Sequence, residues 1–148
     1  MVARDCKGDV LAAKCVRKNI SVDPKTAEAM AALWAILFCK EFGFLDVIFE
    51  GDASQVVNKI HSKPPFLSAT GHLIESIVQE IQGLRSATFV HVHRECNGAA
   101  HLLAKEAVVH EEETCWIEDT SYFLDTVILR ERVYSLDSNS LGSCCFDS

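Results

Sequence analysis

The polar and apolar positions divide the chain into eight elements over its first 110 residues. Segments 2–5 and 9–17 predict two short strands around a hairpin turn at Cys6-Lys7-Gly8-Asp9. Asp23-Pro24 predicts a helix start, with an N-cap followed by proline at the first helical position. The helix runs from Thr26 to Phe42 and stops at Gly43. Glu28 is its only charged residue between Ala27 and Cys39, which predicts burial on several sides and packing across a sheet. Val47-Ile48-Phe49 is a continuous apolar run, the pattern of an interior strand covered on both faces. A helix follows with Val56, Val57 and Ile60 at helical spacing, broken by His61-Ser62-Lys63-Pro64-Pro65. Residues 66–82 form an amphipathic helix carrying Leu73, Ile74, Ile77, Val78 and Ile81. Residues 87–92 are a strand, and Asn97 caps a last helix with Ala100, Leu103, Ala104 and Ala107.

The order β-β-α-β-α-α-β-α implies an α/β fold, a mixed sheet with flanking helices. The helical connections favour parallel pairing of its last two strands. Beyond residue 110 the apolar cluster Tyr122-Phe123-Leu124 with Val127, Ile128 and Leu129 predicts a short docked helix. Ser135 to Ser148 reads as a frayed end. The expected division is therefore a domain over 1–110 and an acidic C-terminal tail over 111–148.

Charge follows the same division. Residues 1–110 hold 12 basic and 12 acidic residues; residues 111–148 hold 2 and 9, and account for the whole net charge of −7. A neutral body excludes a strongly basic nucleic-acid sleeve, though not a local binding site. Lys14, Arg17 and Lys18 are its one obvious basic cluster. There is no run of 18 apolar residues to span a membrane and no secretory signal at the start. Seven cysteines without regular spacing point to free thiols in a reducing compartment. No GxGxxG, P-loop or GxSxG pattern occurs.

Functional groups of open α/β sheets gather at the carboxyl ends of strands. Asp52 directly follows the buried strand, Glu28 is the lone acid of the buried helix, His91 lies near the end of the last strand, and His101 lies one turn into the helix after it. Converging carboxylates suit a hard cation, above all Mg²⁺, and two such ions can clamp a phosphodiester in hydrolysis. Each residue also has a structural reading. Asp52-Ala53-Ser54-Gln55 fits a capping box. Glu28 near a helix N-terminus gains about 0.3–1 kcal/mol from the macrodipole. His91 and His93 share one face of a strand as a solvated pair. His91, His93, Cys96 and His101 match no standard zinc spacing.

Four stretches in order carry a family resemblance. They are Val2-Ala3-Arg4-Asp5 through Gly8-Asp9-Val10-Leu11-Ala12-Ala13; Ala27-Glu28-Ala29; Val47-Ile48-Phe49-Glu50-Gly51-Asp52-Ala53-Ser54-Gln55-Val56-Val57; and Val90-His91-Val92-His93-Arg94-Glu95-Cys96-Asn97-Gly98-Ala99-Ala100-His101-Leu102-Leu103-Ala104. Over residues 2–108 the chain resembles the plant ribonuclease H-like domain, the type related to reverse-transcriptase ribonuclease H. A tryptophan placed like Trp116 is also usual there. The resemblance implies a Mg²⁺-dependent endonuclease on RNA–DNA hybrids, in which four acids hold two metal ions. Its second acid matches Glu28, its third matches Asp52, and a mobile histidine assisting product release matches His91.

Two departures from the family follow. The first acid stands on a strand ahead of the segment matching Val2 to Asp5, and this sequence begins after that strand. The fourth acid is replaced by His101, a poor Mg²⁺ ligand. Glu28 and Asp52 are the remaining metal carboxylates, so impaired hydrolysis is expected. The alternative is a non-catalytic nucleic-acid-binding or protein-interaction module that keeps the fold. The implied partner is an RNA–DNA hybrid or double-stranded RNA. The absent strand is also the central one. Without it the hairpin and the strand at 46–50 have unpaired edges, at about 1–3 kcal/mol for each buried unpaired group, against a total stability of about 5–15 kcal/mol. An upstream strand missing from this sequence, another segment or chain in the gap, or a displaced hairpin would each resolve it, since exposed edges recruit strands.

Overall fold

The computed structural model describes residues 1–18, 21–62, 68–109, 113–117, 122–137 and 145–147. Their strands form one six-stranded mixed sheet, flanked by five α-helices. The chain opens with an antiparallel hairpin, β1 (Val2–Arg4) and β2 (Val10–Cys15). Its turn is built by Asp5, whose carboxylate accepts from the Lys7 and Asp9 amides at 2.9 and 2.8 Å. Gly8 supplies the positive φ of 80° the turn needs.

Helix α1 (Pro24–Glu41) starts as its sequence predicts: Asp23 accepts from the Lys25 and Thr26 amides. It ends before Gly43, at φ 73°. Buried Ala29, Ala32 and Ala35 let it lie close to the protein interior, and it packs against β3, α2 and α3. Strand β3 (Asp46–Gly51) leads into α2 (Ser54–Ile60); then come α3 (Ala69–Ile81), capped by Ser68, and β4 (Ser86–His91). β3 and β4 pair in parallel over six residues, as the helical connections require. The expected break at Lys63-Pro64-Pro65 lies outside the described residues. A 3₁₀ turn at Arg94–Cys96 precedes α4 (Gly98–Val109).

The sheet is buried on both faces because neighbouring residues of its strands enter different cores. Ala3, Ala12, Val47 and Phe49 join α1, α2 and α3 in one core, where Phe49 and Phe89 stack at 4.6 Å. Val2, Ala13 and Cys15 join α4 and α5 in the other.

The C-terminal quarter departs from its sequence reading in three ways. Residues 114–117 form β5 (Thr114–Ile117), a sheet strand antiparallel to β2, with Trp116 opposite Ala13. Four residues without clear alternation gave no strand signal. The docked helix is longer than the apolar cluster suggests. It is α5 (Tyr122–Asp137), and it buries Leu124 and Ile128, one turn apart, against Ala99, Leu103 and Ala107 of α4. Finally, the end is not simply frayed: β6 (Cys145–Asp147) enters the sheet, while 138–144 and 148 lie outside the described residues.

Of the three expected resolutions of the gap between the hairpin and β3, the structure has another segment of the chain in it, β6. The strand order is β4-β3-β6-β1-β2-β5. β6 runs parallel to β3, with Phe146 level with Phe49, and antiparallel to β1, with Phe146 level with Ala3. It occupies the interval where two unpaired edges were expected. Two inward-facing edges offer backbone donors and acceptors on both sides, and a segment that fills them satisfies both.

Candidate functional site

Asp52 stands one residue beyond β3, at the carboxyl end of an interior parallel strand. The capping-box reading of this residue does not hold. The N-cap of α2 is Ala53, and no side chain of the described residues caps that helix. The Asp52 carboxylate turns the other way, toward α4. Its Oδ1 accepts from Asn97 Nδ2 at 3.2 Å, and its Oδ2 lies 3.0 Å from His101 Nε2. Asn97 and His101 can reach one carboxylate because they are a helical turn apart: the His101 amide donates to the Asn97 carbonyl at 3.2 Å. Asn97 is only 1% exposed, and its Oδ1 has no hydrogen-bond partner among the described residues.

Glu28 projects from the second turn of α1 and lines the same cavity as Asp52 and His101, a space of about 240 Å³. Burial pushes its carboxyl above the ordinary range; the Asp52 charge pushes in the same direction, and His101 and Arg94 oppose them. So the structure brings together three of the four residues singled out from the sequence. The fourth, His91, pairs in register with Gly51 at the same end of the sheet but does not line this cavity. It is exposed, and its ring lies edge-on to His93 at 6.2 Å.

Three participants escape sequence reading. Asn97 looks like an ordinary helix cap, and only its distance to Asp52 shows the second role. Trp34 looks like a core residue of an apolar helix, yet it lines the cavity. Glu131 of α5 is 3% exposed: its Oε1 accepts from the Ala99 amide at 2.8 Å, and its Oε2 pairs with the buried Arg4 at 2.7 Å. It thereby fastens the first turn of the helix that carries His101. No local pattern marks a glutamate as the buried partner of an arginine 127 positions earlier. The basic cluster of the hairpin is also changed. Lys14 lies 2.6 Å from Glu113 and 3.0 Å from Glu41, and the Glu113 contact holds its ammonium above the ordinary lysine range. Arg17 donates to the Val108 carbonyl.

The donor set does not suit a pair of magnesium ions. Mg²⁺ demands near-octahedral oxygen ligation, and both Asp52 oxygens already face groups of the chain itself. Among the described residues no group of three or more His, Cys, Asp or Glu side chains gathers to hold a metal ion. Glu28 and Asp52 are the two carboxylates present, with an imidazole beside them. No helix among these residues is long and apolar enough to cross a membrane.

No curated protein and no solved structure matches the chain. The sheet and its flanking helices agree with a ribonuclease H-like architecture. Residues 1–107 match the profile of the family described as reverse transcriptase-like, and the chain belongs to that ribonuclease H-like family.

Proposed function

We propose that this chain is a ribonuclease H-type nucleic-acid-binding domain whose hydrolytic centre is attenuated. The family gives the coarse assignment, a domain with a nucleic-acid-related, nuclease-type function. The observation that carries the finer reading is the state of Asp52. His101 and Asn97 engage both of its oxygens, leaving Glu28 as the other carboxylate of the cavity. Family members typically use Mg²⁺; in this chain Glu28 and Asp52 are the only carboxylates among the described residues of the cavity left to hold it, and with both Asp52 oxygens engaged they do not suit a pair of such ions. Two carboxylates with an imidazole carry less negative charge than the four-acid set that anchors two cations. In this reading His101 orients Asp52, and His91 stays at the rim of the site. In this reading β5, α5 and β6, from the segment 111–148, complete the sheet and one core of the domain formed by residues 1–110.

The substrate class proposed is an RNA–DNA hybrid or double-stranded RNA, bound mainly through phosphates and therefore weakened by salt. Fluorescence anisotropy with a labelled hybrid at rising salt, beside a gel assay of the same hybrid with Mg²⁺, tests both halves. Expected are salt-dependent binding and little or no cleavage. Absence of binding at low salt would refute the nucleic-acid reading. Mg²⁺-dependent cleavage that disappears in Glu28→Gln or Asp52→Asn would refute attenuation.

A further inference from the structure

The cavity beside the acids extends beyond them. One face of α1 (Ala27, Ala31, Trp34) and one face of α4 (Ala100, Ala104) form much of its wall, together with the end of β2. The short alanine side chains leave this space unfilled, and Trp34 is the one large aromatic side chain lining it. A volume of about 240 Å³ is below the usual range for drug-sized ligands and suits a single heterocycle. Its polar groups narrow the ligand class further. A phosphate would face the Glu28 and Asp52 carboxylates, which repel it, and the Lys14 ammonium that also lines the cavity is already paired with Glu41 and Glu113. A neutral ring that donates hydrogen bonds would not be repelled. Glu28 is the natural acceptor: it is half-buried, and no described residue donates a hydrogen bond to it. Asp52, by contrast, already accepts from Asn97 and faces His101.

We propose that this cavity takes one unstacked, amino-bearing nucleobase, with its ring against Trp34 and its exocyclic amine donating to Glu28. Carboxylates accept from such amines, as they do from the cytosine amine. Aromatic rings stack any base. The inference rests on the nucleic-acid reading and deepens it: the site reads a base lifted out of the stack at a strand end, bulge or single-stranded segment. Adenine, cytosine and guanine carry the amine; uracil and thymine do not.

The test uses the full chain with Trp116→Phe, so that Trp34 is the sole tryptophan. Ten-nucleotide strands of adenylate, cytidylate and uridylate, and an abasic strand of the same length, are titrated by tryptophan emission and by anisotropy. Expected are quenching of Trp34 by the adenylate and cytidylate strands and weaker binding of the uridylate and abasic strands. Trp34→Ala should lose about five- to a hundredfold in affinity for the adenylate strand, the range of one base–aromatic stack. It should lose nothing for the abasic strand. Ala104→Leu, which fills the cavity from an exposed helix position, should show the same selective loss if Trp34→Ala fails to fold. Equal affinity for adenylate and abasic strands, with Trp34 unquenched, would overturn the base pocket while leaving the hybrid-binding reading intact. Failure of every strand and of the hybrid to bind would overturn both.

Discussion

Glu131→Ala removes a carboxylate that serves two buried partners at once. Its Oε2 neutralises Arg4, a residue 6% exposed, at 2.7 Å; its Oε1 takes the Ala99 amide at 2.8 Å. Losing the acceptor leaves a buried amide unpaired, at about 1–3 kcal/mol. Losing the charge leaves a buried guanidinium without that carboxylate, a change that typically destabilises by about 3–5 kcal/mol. The two losses share one side chain and overlap, so about 3–5 kcal/mol in total is expected. That is a large part of a domain's usual margin of about 5–15 kcal/mol and corresponds to a fall in Tm on the order of 10 °C. Glu131→Gln keeps an oxygen for Ala99 and should lose less. The double replacement Arg4→Met with Glu131→Leu removes both charges and should recover the charge part of the loss, leaving about the 1–3 kcal/mol of the unpaired Ala99 amide, because apolar replacement of a buried pair is often neutral or favourable. Urea denaturation of the singles and doubles, read as a double-mutant cycle, measures the coupling. A loss under about 1 kcal/mol for Glu131→Ala, or no coupling between the two positions, would refute the reasoning.

The Glu28 pKa is raised above its ordinary 4.5 by burial, so the folded chain holds a proton there that the unfolded chain has already released. Stability therefore falls as pH rises through that window, and the deficit is relieved at acid pH. Glu28→Gln should melt above wild type at pH 7 and level with it at pH 4; a less stable variant at pH 7 would contradict this. The buried Cys39 thiol is pushed up to about 12 by desolvation, so at pH 8 only about 10⁻⁴ of it is thiolate. Thiol labelling mapped by mass spectrometry should modify exposed Cys6 in the native protein and Cys39 only in urea. A Cβ added at Gly98 would meet Glu131 Oε1 and Val127 Cγ1 at 3.0 Å. Gly98→Ala should destabilise by about 1–3 kcal/mol of overpacking, less the helix-propensity gain of about 1 kcal/mol. Melting above wild type would show that α5 yields freely.

The amino-acid sequence by itself determined the local elements and much of the candidate site. Asp23-Pro24 started α1, Asp5 and Gly8 made the hairpin turn, and the apolar run at Val47 to Phe49 became an interior strand. Each of these signals is contained in a few neighbouring residues, through capping, turn chemistry or periodicity. Asp52 and Glu28 could be singled out because an acid at a strand end and a charge in an apolar helix stand out in one dimension, and His101 because it lies one turn into the last helix, four residues after Asn97. Tertiary structure alone decided the partners. Asp52 meets His101 across 49 positions, and Glu131 meets the Ala99 amide across 32. The capping box and the docked helix were plausible locally, but the first dissolved and the second acquired a buried acid once their neighbours were in place. The centre of the sheet shows the division most clearly. Sequence order left a gap between β1 and β3, and β6, nearly a hundred residues beyond β3, lies in it. Which segment fills a gap depends on which backbone groups would otherwise be buried without partners, and that becomes defined only when the chain closes on itself.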